Sequence, residues 1–188
     1  MNKNVIEEVK SFVENECNNH PLGREIFLNH FIPVANYAKK LSREKNVDLE
    51  LLEIASFLHD IGSIKYGREN HHITGAEIAE KKLKELNYPN EKIELVKKCI
   101  LNHRGSKKNI LTTPEERIIA EADCLTFFDN LEGYFLWVIE GDGIKNQKSI
   151  RESVRKKVQN KWEQLSSDAR KLIKLKYEAA MLLFGNEY

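Results

Sequence analysis

Apolar residues recur along this chain at three- and four-residue intervals, the spacing of a buried helix face rather than of a strand. Val5, Phe12 and Val13 mark a first helix that closes in the polar stretch Cys17-Asn18-Asn19-His20-Pro21. A second is expected over about 22–44, with Phe27, His30, Phe31, Val34, Ala38 and Leu41 on one stripe. Pro33 falls inside it and should kink it or remove a hydrogen bond just beyond His30. Asp48 suits the N-cap of a third helix, 49–59, and Gly62 suits its termination. An exposed polar loop, 63–70, leads to a fourth helix over about 74–86. After Pro89-Asn90 comes a fifth, with Ile93, Val96, Ile100 and His103 on related faces. Thr113-Pro114-Glu115-Glu116 combines an N-cap, a proline at N1 and an acid at N3, so a sixth helix starts there. It holds Ile118, Ile119, Ala122 and Asp123, with room to continue toward Ile139. Two basic amphipathic helices, about 149–165 and 167–184, follow. Few runs alternate with period two, so the pattern predicts one all-α domain over 1–188, a single helical bundle.

Composition narrows the partners. A chain of 188 residues with 41% hydrophobic and 31% charged residues can bury a core of ordinary size. A net charge of +1 gives no whole-molecule field to attract nucleic acid or a membrane. The charge is uneven, though: between Lys145 and Lys176 there are eleven Lys or Arg against three acids, which sets off a basic extension over about 145–188. Such a run reads first as the solvated face of exposed helices, and second as an anion-attracting rim or partner surface. Cys17, Cys99 and Cys124 are odd in number and lack a CxxC spacing, as expected of reduced thiols in the cytoplasm. Residues 1–8 contain no apolar signal segment, and the longest apolar run, 134–139, is too short to span a bilayer.

The candidate chemistry lies in an ordered series: His30, His59-Asp60, His71, His103 and Asp123. Mixed imidazole and carboxylate donors suit Mn, Fe, Co, Ni or Zn better than calcium, which prefers oxygen. Adjacent residues on a regular helix diverge by about 100°. His59 and Asp60 can therefore converge only where the helix ends, and an aspartate there has two oxygens with which to bridge two ions. Taken singly, each residue has a plainer reading. His30 is a hydrogen-bonded core histidine, His103 a partner of a helix C-terminus, Asp123 a helix acid, and His71 and His72 are loop residues.

Taken together, the series resembles the HD-domain metal-dependent phosphohydrolase superfamily, whose pattern is H…HD…D with two further histidines in two-metal members. The matching residues are His30, His59-Asp60-Ile61-Gly62, His71 ahead of Gly75-Ala76, His103 and Asp123, over a core of about 22–130. The resemblance implies a first divalent ion on His30, His59, Asp60 and Asp123. Asp60 would bridge, as the key catalytic residue, to a second ion on His71 and His103, with His72 the one-residue alternative to His71. It further implies hydrolysis of a phosphate ester of a nucleotide or related metabolite by metal-activated water. Many family hydrolases carry a cation directly after the HD-x-Gly stretch; here that position is Ser63, and Lys65, Arg68, Arg104 and Lys107 are candidates to hold substrate phosphate instead. Two other outcomes stay open: a di-iron oxygenase of the same superfamily, and a non-catalytic nucleotide-binding sensor.

Overall fold

The structure is a computed structural model that describes residues 3–104, 110–141 and 146–185. Lys107 lies outside the described residues. The described residues form helices and no strands, so the chain is all-α. They fall into two compact units, residues 1–123 and 124–188.

In the first unit, α1 (Lys3–Asn18) precedes a longer helical segment in three parts: α2 (Gly23–Ile26), a π-helical turn (Phe27–Phe31) and α3 (Ile32–Leu41). The break expected from Pro33 is a change of helical register. Proline cannot donate a backbone hydrogen bond, and the Ile32 N–H reaches five residues back to the Phe27 carbonyl. His30 sits in the widened turn.

The centre of this unit is α4 (Leu49–Leu58), which packs on α1, α3 and α7 (Asn90–Asn102). Its residues Leu51, Leu52, Ile54, Ala55, Ser56, Phe57 and Leu58 are all buried, as a helix apolar around its circumference requires. Asp48 caps it as expected, accepting the Leu51 N–H at 3.1 Å. The helix stops at Leu58, ahead of the glycine expected to end it. Gly62 instead lies within a short helix, α5 (Ile61–Tyr66), where a loop was anticipated. The reason for the glycine is close approach to α6 (His71–Glu85): a Cβ there would lie 2.6 Å from the Gly75 nitrogen and closer still to the His71 carbonyl. α6 also begins three residues earlier than its apolar stripe implied, so His71 opens it.

α8 (Pro114–Thr126) starts with the expected reciprocal cap: the Thr113 hydroxyl accepts the Glu116 N–H, and the Glu116 carboxylate accepts the Thr113 N–H at 2.8 Å. It ends at Thr126, short of the extension the periodicity allowed, and the chain turns before α9 (Leu131–Gly141).

The second unit holds α9, α10 (Gln147–Glu163) and α11 (Ser167–Phe184), with α10 packed on both its neighbours. Asn146 and Ser166 cap α10 and α11. Val154 and Val158 of α10 and Ala169, Ile173 and Ala180 of α11 are buried. Trp162 stacks on Tyr177 at 4.0 Å between ring centroids, with the Arg170 guanidinium over the indole. Among the described residues, no helix is long and apolar enough to cross a membrane.

Candidate metal centre

The site lies where α4 gives way to α5. His59 continues the helical backbone, whereas Asp60 turns to φ −113° and ψ 13°. This one non-helical residue lets two adjacent side chains converge. The π-helical turn contributes His30, the first residue of α6 contributes His71, the end of α7 contributes His103, and α8 contributes Asp123.

Asp60 divides its oxygens between two groups of imidazoles. Its Oδ2 lies 3.3 Å from His30 Nε2 and 3.8 Å from His59 Nε2. Its Oδ1 lies 3.1 Å from His71 Nε2 and 3.4 Å from His103 Nε2. Asp123 Oδ1 joins the first group, 3.6 Å from His30 and 3.8 Å from His59. Of the neighbouring pair on α6, His71 faces this point; His72 is buried but belongs to neither cluster of potential metal donors.

Three of the histidines are held by the same local device. His59 Nδ1 donates to the Ser56 carbonyl at 2.8 Å, His71 Nδ1 to Arg68 at 2.7 Å and His103 Nδ1 to Ile100 at 2.6 Å, each three residues back. With the proton on Nδ1, a neutral ring presents a lone pair at Nε2. Yet the Nε2 atoms of His71 and His103 stand 3.3 Å apart, and those of His30 and His59 3.1 Å apart. Asp60 Oδ1, itself an acceptor, is buried among them without a hydrogen-bond partner. Acceptors brought together in this way need a cation between them, either protons or a metal ion. The donor set fits a divalent metal, with imidazole and carboxylate in two groups of three: His30, His59 and Asp60, and Asp60, His71 and His103.

The electrostatics agree. Burial pulls His59 down to about 4, which keeps its ring neutral near pH 7. Burial also pulls on His30 and His103, but the Asp60 carboxylate, helped by Asp123, raises both above the usual histidine value. Burial would raise Asp60; His59, His103, His30 and His71 around it hold the carboxyl well below the usual range. The centre has a covered edge and an open one. His59 is 0% and His103 3% exposed at the side chain, whereas His30, Asp60 and Asp123 retain 23%, 21% and 20%.

The expected phosphate-holding cations differ in their surroundings. Lys65 is engaged by Glu16 of α1 at 2.7 Å. Arg68 is exposed, while its carbonyl receives the His71 proton. Arg104 is half-buried directly after His103.

The HD domain sequence pattern matches residues 27–127, more than half of the chain. The chain belongs to the HD domain family. The matched span includes the His59-Asp60 doublet and the other four clustered side chains. Two curated relatives share the resemblance, both described as uncharacterized. A protein of Clostridium beijerinckii is 36% identical over 84 residues, covering 43% of this chain and 54% of that protein. A protein of Methanocaldococcus jannaschii is 29% identical over 137 residues, covering 64% of this chain and 75% of that protein. The chain thus spans about half the length of the first relative. No solved structure matches the chain.

Sequence reasoning missed two features. The three backbone carbonyls that orient the imidazoles leave no trace in residue identity. The contact of Asn102 with Glu116, 2.6 Å, was half visible, since the capping glutamate was recognised but its second partner was not.

Proposed function

We propose that this HD domain is a metal-dependent phosphohydrolase with two divalent transition-metal ions. His30, His59, Asp60 and Asp123 would hold one ion; Asp60, His71 and His103 would hold the other. The observation that carries this reading is the division of Asp60, one oxygen toward each set of imidazoles. A pair of such ions, when bound, supplies Lewis acidity: it lowers the pKa of water and withdraws charge from a phosphoryl oxygen.

The chain's own contribution is orientation. The carbonyls of Ser56, Arg68 and Ile100 fix three imidazoles with Nε2 inward, so the donors need no rearrangement on loading. Two carboxylates among six donors leave a net positive charge on a centre with two divalent ions, which suits an anionic substrate. Such a substrate would enter at the edge formed by His30, Asp60 and Asp123. Arg104 and Arg68, beside the second set of donors, are the cations assigned to its phosphate, with a nucleotide or related metabolite as the substrate class. Lys65 contributes less because Glu16 neutralises it.

The test is metal content after purification without chelator, together with turnover of an aryl phosphate and a nucleotide panel. About two equivalents of transition metal and phosphate release are expected. In Asp60→Ala, turnover should fall more than about 100-fold, beyond the loss typical of a residue that only supports a ligand. Near-normal turnover in that variant would remove the reading. Ser63, in place of a cation, and the neutralised Lys65 favour one second reading, a di-iron oxygenase. Oxygen uptake with iron and no phosphate release would select it. Tight nucleotide binding without turnover would select a sensor.

A further inference from the structure

Glu116 is 1% exposed, yet its carboxylate is fully engaged. Oε1 accepts from the Asn102 amide at 2.6 Å. Oε2 accepts from the Thr112 N–H at 3.0 Å, the Thr112 hydroxyl at 2.7 Å and the Thr113 N–H at 2.8 Å. A helix-capping glutamate needs only the last of these. The others join three pieces of chain: the final residue of α7, the strand of backbone entering α8, and α8 itself. Asn102 immediately precedes His103, and Asp123 lies two turns beyond Glu116 on α8. One buried carboxylate therefore fixes the backbone next to one candidate ligand and the start of the helix that carries another.

We propose that Glu116, acting through Asn102, is a positioning residue for the metal centre that sets where His103 meets Asp60. The inference rests on the two-ion reading above and extends it to residues that touch neither ion. The buried carboxylate is held ionised, because donors from Asn102, Thr112 and Thr113 outweigh the burial that would raise it. Removing Asn102 leaves the Thr112 and Thr113 bonds, and hence the cap of α8, intact. Its loss therefore tests the tie to α7 separately from the stability of α8.

The experiment is a Co2+ titration of the metal-free full chain, followed by calorimetry and by the visible absorption of the bound ion. Wild type, Asn102→Ala, Glu116→Ala and Ser166→Ala are compared, the last being a control that removes the α11 cap. Circular dichroism and Tm report folding. In wild type two binding steps are expected. In Asn102→Ala the step assigned to Asp60, His71 and His103 should weaken about tenfold or more with an altered spectrum, while the other changes less than about twofold. In Glu116→Ala, which also loses the cap of the helix carrying Asp123, both steps should weaken. Should Glu116→Ala not fold, Asn102→Ala alone carries the comparison. Two wild-type steps that persist unchanged in a folded Asn102→Ala overturn the positioning role and leave the two-ion reading standing. Weakening of both steps together in Asn102→Ala, as far as Tm falls and as in Ser166→Ala, also overturns it. A single step in wild type overturns the two-ion reading and this inference with it.

Discussion

At the scale of the residue, the atoms at which Asp60 and its histidines face one another are those that would take either protons or a metal ion. His30 and His103 are raised above the usual histidine value because Asp60 and Asp123 stabilise their charged forms, so the metal-free centre holds protons there to higher pH than free imidazoles would. Loading must expel them. Raising the pH through and above about 6.5, the ordinary histidine value, should therefore tighten metal binding, and lowering it should weaken binding. His59, down at about 4, and Asp60, lower than a usual carboxylate, are already deprotonated across that window and add little slope. Titrations in buffers of different ionisation enthalpy should register proton release at pH 7; binding independent of pH from 6 to 8 would contradict it. The order of the six candidate residues was legible in the sequence, and the structure brings their side chains together. The spacing to Gly75 favours His71 over His72, and it is His71 that approaches Asp60; what the spacing does not reveal is that His71 opens α6, where α5 packs against it.

At the scale of the element, one glycine permits the close approach of α5 to α6, the helix that His71 opens. Gly62 lets α5 lie against α6, with the His71 carbonyl and the Gly75 nitrogen occupying the space a side chain would take. Gly62→Ala must force these helices apart, and overpacking of this kind costs about 1–3 kcal/mol. Because His71 opens α6, the same displacement should also reduce metal content, mainly of the ion assigned to His71 and His103. Denaturant unfolding and metal analysis of one preparation test both effects; a stable variant with full metal content would show that the approach is not tight. Long helices with a clear apolar stripe, such as α7, could be read directly. The six-residue α5 could not, because it is too short to establish a period and is followed by polar residues. The π-helical turn lay between: Pro33 announced a lost hydrogen bond, but only the structure shows that the backbone shifts to a five-residue bond around His30.

At the scale of the whole molecule, the donors come from chain segments separated by as much as the distance from His30 to Asp123, so a bound ion cross-links much of the first unit. An ion that binds the native chain and not the unfolded one, at 100 times its dissociation constant, adds about 2.7 kcal/mol of stability. Chelator treatment should accordingly lower Tm, and added Mn2+ or Co2+ should restore it. Hydrogen exchange should slow at the ends of α4, α6 and α7. An unchanged Tm and exchange pattern would mean that no ion ties these elements together. The all-α class was readable from periodicity, whereas the division after Asp123 falls inside α8, where the helical pattern runs on and composition does not change. The three short bonds from His59, His71 and His103 to carbonyls three residues back have a consequence for assembly. Those of His59 and His103 lie within single turns at the ends of α4 and α7, and helical segments relax in about 0.1–1 μs, faster than distant segments dock. These two rings can thus take their tautomer and aim before they meet the others, whereas His71 follows the left-handed Asn70 and waits for the turn into α6. On the two-ion reading, the late event in maturation would be arrival of the cation, and the rate at which activity appears should follow the supply of metal.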